Sequence, residues 1–115
     1  MMKFIYFAYP YASSPEARTK EVKAKVRAIM AIREDIVPLV PHCAFDFLYD
    51  MPRGYDCPFM LNWEVFIIAF LIDYLCIVPH DPSLVTSGVH WERAIAEVFD
   101  VPEVDYDYLL EGGEI

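Results

Sequence analysis

The chain has no Gly-x-Gly-x-x-Gly run and no phosphate loop ending in Gly-Lys-Ser or Gly-Lys-Thr. Dinucleotide oxidoreductases and ordinary NTPases hold their phosphates on such glycine-rich backbone, so the sequence argues against both. A Gly-x-Ser-x-Gly elbow is also missing, which argues against the esterase-type serine nucleophile. Only 3 cysteines occur, Cys43, Cys57 and Cys76. The number is odd and no pair has metal-site spacing, so a disulfide scaffold is not expected and a reduced, cytoplasmic setting is. His42, His80 and His90 lack close partners at ligand spacing, so neither a metal site nor a cofactor is expected. Basic residues are few, 9 against 18 acidic ones, for a formal net charge of −9. A chain of that charge repels nucleic acid polymers and anionic membranes. Long apolar runs are lacking too. The longest, "VFIIAFLI" from Val65 to Ile72, is bracketed by Glu64 and Asp73. It is far short of the roughly 20 residues that cross a bilayer, and reads as a buried helix. The apolar opening run is too short for a signal peptide and continues as a strand.

What is present suits one packed domain over residues 1–115. Apolar residues make up 57% and charged ones 23%, and the length fits a single core. "KFIYFAY" is a strand of the kind covered on both faces. Ser14 then offers an N-cap and Pro15 a first helical residue. The helix is expected from Pro15 to Glu34, with Val22, Val26, Ile29, Met30 and Ile32 inward and Lys20, Lys23, Arg27 and Glu34 wet. A second strand is expected over Ile36–His42, a long loop after it, and a helix over roughly Pro58–Ile72. A third strand follows at Tyr74–Pro79, then a helix from Ser87 or Gly88 to Phe99. On that helix Trp91, Ala94, Ile95 and Val98 form an apolar stripe. "PEVDYDYL" is expected to supply a fourth strand or an extended tail. Strands alternating with helices imply an α/β fold: three layers, flavodoxin- or Rossmann-like, with a parallel sheet of four to five strands between helices. Ligands bind such sheets at the carboxyl ends of the strands. The segments "YPYASSP", "PHCAFDFLYD" and "PHDPSLVTSG" converge there.

The reactive candidates are carboxylates. Glu92 is placed in the first turn of the last long helix, where the dipole and free N–H groups favour its ionised form. There it is either an ordinary solvated acid or a nucleophile toward a sugar carbon. Asp73 closes a very apolar helix; burial would raise its pKa and suit it to proton exchange, whereas a solvent-facing acid at a turn is the plainer reading. Tyr6 is either core or, with its hydroxyl toward the strand's end, a group that orients a carboxylate. Tyr9 and Phe45 offer rings to stack on a base, or simple packing. Thr86, Ser87 and Gly88 offer hydroxyls, N–H groups and close backbone approach, or an ordinary helix cap.

Taken together, "FIYFAYPYASSPEA", "LIDYLCIV" and "TSGVHWERAIA" resemble three elements of the nucleoside 2-deoxyribosyltransferase superfamily, which includes deoxynucleoside-monophosphate N-glycosidases. The segment "VPLVPHCAFDFLYD" resembles a branch with a Pro-His motif. The resemblance spans nearly the whole chain. It implies Glu92 as nucleophile, Asp73 as the acid near the nucleobase and Tyr6 as the residue that positions Glu92. It also implies a substrate pocket drawn from Tyr9, Ser13, Ser14, His42, Phe45, Thr86, Ser87 and Gly88. Free-nucleoside enzymes often carry an aspartate six residues before the nucleophile, and the monophosphate hydrolases a serine. Thr86 stands in that place, which leans toward a phosphorylated ligand or a lost 5′-hydroxyl contact. The first loop, however, lacks the glycine-rich phosphate nest of those hydrolases.

The expected function is cleavage, with or without transfer, at the N-glycosidic bond of a 2′-deoxynucleoside or its 5′-monophosphate. The alternatives are a non-catalytic nucleotide-binding domain that kept the fold, or a structural subunit. The expected partners are a nucleoside or nucleotide, a nucleobase, and further copies of the chain in a homodimer or larger homo-oligomer.

Overall fold

The structure, a computed structural model, describes residues 1–11, 14–41 and 58–115. Its elements run β1 (Lys3–Ala8), α1 (Pro15–Met30), β2 (Ile36–Leu39), α2 (Pro58–Phe70), β3 (Tyr74–Ile77), α3 (Ser87–Val98) and α4 (Tyr106–Leu110). The three strands form a parallel sheet in the order β2-β1-β3. Tyr6 of β1 lies opposite Leu39 on one side and Leu75 on the other.

The central strand is apolar throughout because it is covered twice. Ile5, Phe7 and then Tyr9 point to one face, where Val22, Val26 and Ile29 of α1 meet them with Tyr106 and Leu109 of α4. Tyr6 and Ala8 point to the other face, onto Ile67 and Ile68 of α2 and Ile95 and Ala96 of α3. The period of two along a strand divides one run between two cores. The result is a three-layer α/β sandwich with α1 and α4 on one side and α2 and α3 on the other.

Several element ends fall short of those expected. Helix α1 stops at Met30, four residues before Glu34. Beyond the helix end Arg33 turns inward and binds the C-terminal segment. Its Nη1 donates to the Leu109 carbonyl at 3.1 Å and the Gly113 carbonyl at 2.7 Å. Its Nε and Nη2 grip Asp35 at 3.0 and 2.8 Å. Ile32, expected inward, is exposed beyond the helix end. β2 ends at Leu39 and β3 at Ile77, each shorter than expected.

The sheet has three strands among the described residues, not four to five. Glu103 makes a single parallel bridge to Leu75 at the outer edge of β3. Leu75 N donates to the Pro102 carbonyl, and Val104 N to the Leu75 carbonyl, at 3.0 and 2.8 Å. Pairing ends there because Pro102 has no N–H to give and Asp105 starts a helix. The Asp105 carboxylate accepts from Tyr108 N at 3.1 Å and caps α4.

The expected stripe on α3 is also corrected. Val89, Glu92, Ile95 and Ala96 face inward, while Trp91 and Val98 are exposed. Of the four apolar residues expected inward, only Ile95 is buried. No helix of the described residues is long and apolar enough to cross a membrane.

Candidate active site

The inward face of α3 carries a carboxyl group into the core. Glu92 is the sixth residue of the helix, so it lies in the second turn and not the first. It is 2% exposed and packs where α2, α3 and β1 meet. The expected help from free N–H groups at the helix start is therefore lost. The Tyr6 hydroxyl, from the middle of the central strand, donates to Glu92 Oε2. Tyr6 is itself wholly buried. An even offset along β1 aims its ring at the α2–α3 layer, the same side as Glu92.

A third group completes the cluster, one to which the sequence reading gave no role. Glu64, on the first half of α2, is 5% exposed. Its charge acts directly on Glu92. Glu64, Ile67 and Ile68 share one helical face, at i, i+3 and i+4, and all three are buried. That spacing was the available signal. It was hidden because α2 is apolar on every side, so periodicity did not reveal which side faces inward.

The electrostatics follow from this arrangement. The Glu92 pKa is raised well above the ordinary carboxylate value. Burial is the main cause, the nearby Glu64 carboxyl adds to it, and the Tyr6 hydrogen bond opposes both. In this dry setting the Glu64 carboxyl thus adds to the cost of ionising Glu92. The Tyr6 hydroxyl donates to Glu92, and a donor favours an ionised carboxyl.

Asp73 does not belong to this cluster. It is exposed, not buried, and precedes β3 at the amino-terminal edge of the sheet. Its Oδ2 accepts from Phe4 N at 2.8 Å, and its own N donates to the Phe4 carbonyl at 2.8 Å. The carboxylate steadies the start of β1, at the edge away from the strand ends where ligands bind.

Tyr9 is buried on the α1 face, opposite the face of Tyr6. Its hydroxyl donates to Glu21 Oε2 at 2.5 Å, and its ring meets His80 edge-on at 5.9 Å. Burial and the Glu21 carboxylate push the hydroxyl pKa up to about 12. The ring is thus committed to packing and is not an open stacking platform. Ser14 precedes α1 without a side-chain cap bond, so the expected cap is not formed. Thr86 likewise sits at the start of α3 without a side-chain cap bond, and its Oγ1 lies 3.1 Å from His90 Nε2. Ser87 and Gly88 are exposed beside it. A side chain added at Gly88 would meet nothing within 4 Å, so the glycine leaves open space at the mouth of α3. Ser13, His42 and Phe45 lie outside the described residues.

No family model matches the chain. No curated protein matches it either. Among solved structures it is similar to a conserved protein from Enterococcus faecalis V583, with a TM-score of 0.69 and 22% identity. The similarity covers 91% of this chain and 63% of that one. At this identity the likeness establishes a shared α/β fold, over somewhat less than two thirds of the other protein.

Proposed function

We propose that the chain is a glycosyl-transferring or glycosyl-hydrolysing enzyme acting at the N-glycosidic bond of a 2′-deoxynucleoside or its 5′-monophosphate. The observation that carries this reading is the buried Tyr6–Glu92–Glu64 cluster. A parallel α/β sheet with a carboxyl group positioned by a central-strand tyrosine is consistent with the resemblance to the nucleoside 2-deoxyribosyltransferase superfamily. Glu64 takes the acid role that sequence reading gave to Asp73.

In the first step a Glu92 oxygen attacks C1′. The C1′–N bond breaks and its electron pair stays on the base nitrogen. Glu64 supplies the proton that neutralises the departing base. The product is a glycosyl ester on Glu92. In the second step water or another base attacks C1′, the ester bond breaks, and the pair returns to the Glu92 carboxylate. The proton lost by the attacking group goes to Glu64. Tyr6 holds Glu92 in line and stabilises its charged form, through proximity and hydrogen bonding. Thr86, Ser87 and Gly88, at the start of α3, are the groups this reading assigns to a hydroxyl or phosphate on the sugar's 5′ end.

The test is incubation of the protein with deoxynucleosides and deoxynucleoside monophosphates, with and without an acceptor base. Product only with acceptor identifies a transferase, and free base without acceptor a hydrolase. Release or exchange on no substrate would defeat the reading. A second reading is a binding domain without turnover, and one observation favours it: Glu92 and Tyr6 are almost wholly buried. It predicts saturable nucleotide binding, seen as a rise in Tm, that Glu92→Gln leaves intact.

A further inference from the structure

The inner stripe of α1 carries a charged residue where an apolar one is ordinary. Arg18 stands one helical turn before Val22 and two before Val26, on the side that packs against β1. Its side chain is only 16% exposed. Arg18 acts on the Tyr9 hydroxyl, and Tyr9 follows the last residue of β1, so the guanidinium lies at the carboxyl edge of the sheet. A second polar group arrives there from β3. The alternation that turns Ile5, Phe7 and Tyr9 to the α1 side also turns Cys76, Val78 and then His80, whose ring meets Tyr9 edge-on at 5.9 Å.

Both groups have bonding capacity left over. A guanidinium offers N–H donors in a planar fork, and one removed from water ordinarily grips an oxyanion with two of them. Arg33 does so here, with Nε and Nη2 both on Asp35. Arg18 does not. Its Nη2 reaches Glu21 Oε1 at 3.3 Å, and that carboxylate also accepts the Tyr9 hydroxyl on Oε2. The Arg18 Nε–H is buried and finds no acceptor among the described residues. A buried donor left so is unfavourable. His80 Nδ1 lies 2.9 Å from the Val78 carbonyl. A carbonyl only accepts, so Nδ1 carries the proton and Nε2 of the neutral ring presents a lone pair.

We propose that Arg18 and His80, on either side of Tyr9, bind a small carboxylate that carries a hydroxyl beside its carboxyl group. The carboxylate oxygens accept from Arg18 Nε–H and a neighbouring Nη–H, the fork that Asp35 fills on Arg33. The hydroxyl donates to His80 Nε2. Charge sets the class. Asp81 is held in its ionised form by Arg18 and His80 among other groups, and Glu21 pairs with Arg18. One cation between two carboxylates suits a singly charged group and disfavours a doubly charged phosphate. The carboxyl ends of parallel strands are also where such folds take ligands. This site lies on the α1 face of the sheet, whereas Tyr6 meets Glu92 on the other face. The inference is therefore independent of the reaction proposed for Glu92.

NMR titration of the full chain at constant ionic strength tests it, with L-lactate, propionate and inorganic phosphate as probes. Propionate keeps the carboxylate and lacks the hydroxyl. In wild type, L-lactate shifts the Arg18 Nε–H and His80 ring resonances saturably, and propionate binds about 5-fold and phosphate about 10-fold more weakly. Arg18→Gln, followed at the His80 ring, weakens L-lactate at least about 10-fold. Arg18→Lys keeps the charge without the fork and gives a loss of the same kind, so the result does not hang on one substitution. His80→Phe keeps a ring against Tyr9 and brings L-lactate down to the propionate affinity. Near-UV circular dichroism verifies that each variant is folded. No saturable shift up to about 50 mM L-lactate overturns the inference. So does binding that survives both Arg18 substitutions, or phosphate bound more tightly than L-lactate. Equal affinity of wild type for L-lactate and propionate overturns it as well, since His80 then has no part.

Discussion

A carboxyl group buried to the depth of Glu92 is costly unless something is gained from it. Its pKa is raised, so the folded state holds the proton more tightly than the unfolded chain does. The Glu92 contribution to stability is therefore fully present below the ordinary carboxylate value of 4.5. It is lost as pH rises from there through the raised folded value. Replacing Glu92 with Gln removes this dependence and keeps an acceptor for Tyr6. Chemical denaturation from pH 4 to pH 8 is expected to show a decline in wild-type stability that the variant lacks. At pH 7 the variant gains on the order of 1–2 kcal/mol, a few degrees in Tm, while cleavage falls at least about 10³-fold. More stability with less activity is the signature of a reactive group held at a structural cost. Tyr6→Phe removes the donor that eases ionisation of Glu92. It should lower kcat by about 100-fold and move the acidic limb of the kcat/KM profile to higher pH. A profile that shifts the other way would mean the hydroxyl does not serve the ionised form. Glu64→Gln removes the proposed proton donor, so it should slow substrates whose leaving base needs a proton more than substrates with a good leaving group.

Among the elements, the C-terminal segment depends on one side chain. Arg33 joins the end of α1 to Asp35 and to the carbonyls of Leu109 and Gly113. Arg33→Ala leaves the buried Leu109 carbonyl and the half-buried Gly113 carbonyl without this donor and is expected to cost about 2–4 kcal/mol. Limited proteolysis should then cut near α4 before the rest of the domain. The strands and helices themselves were legible because each carries its own signal. "KFIYFAY" is apolar at every position because both faces are covered, and Val22, Val26 and Ile29 mark the inner side of α1. The ends were less legible, since they depend on contacts distant in sequence. Nothing near Glu34 announces that Arg33 will reach across to Gly113. The fourth strand failed for a local reason: Pro102 and Asp105 limit pairing to one bridge. Glu92 was singled out by its place after the third strand, and its pairing with Tyr6, which the structure shows as a hydrogen bond, by the family resemblance. Glu64 was missed because α2 is apolar on all sides, and Asp73 was favoured by the same apolar run although it lies at its wet end.

At the scale of the whole molecule, helical layers enclose a sheet of three strands among the described residues, and Glu64 and Glu92 lie buried in the layer of α2 and α3. The account stands or falls on whether Glu92 forms a bond to a sugar. Intact-mass measurement after incubation with a slow 2-fluoro-2-deoxyriboside decides this most directly. The account predicts a gain of one fluorosugar on the wild type, mapped by fragmentation to Glu92 and absent from Glu92→Gln. A sugar mapped to any other residue, or no adduct on a wild type shown to release the base, would contradict it.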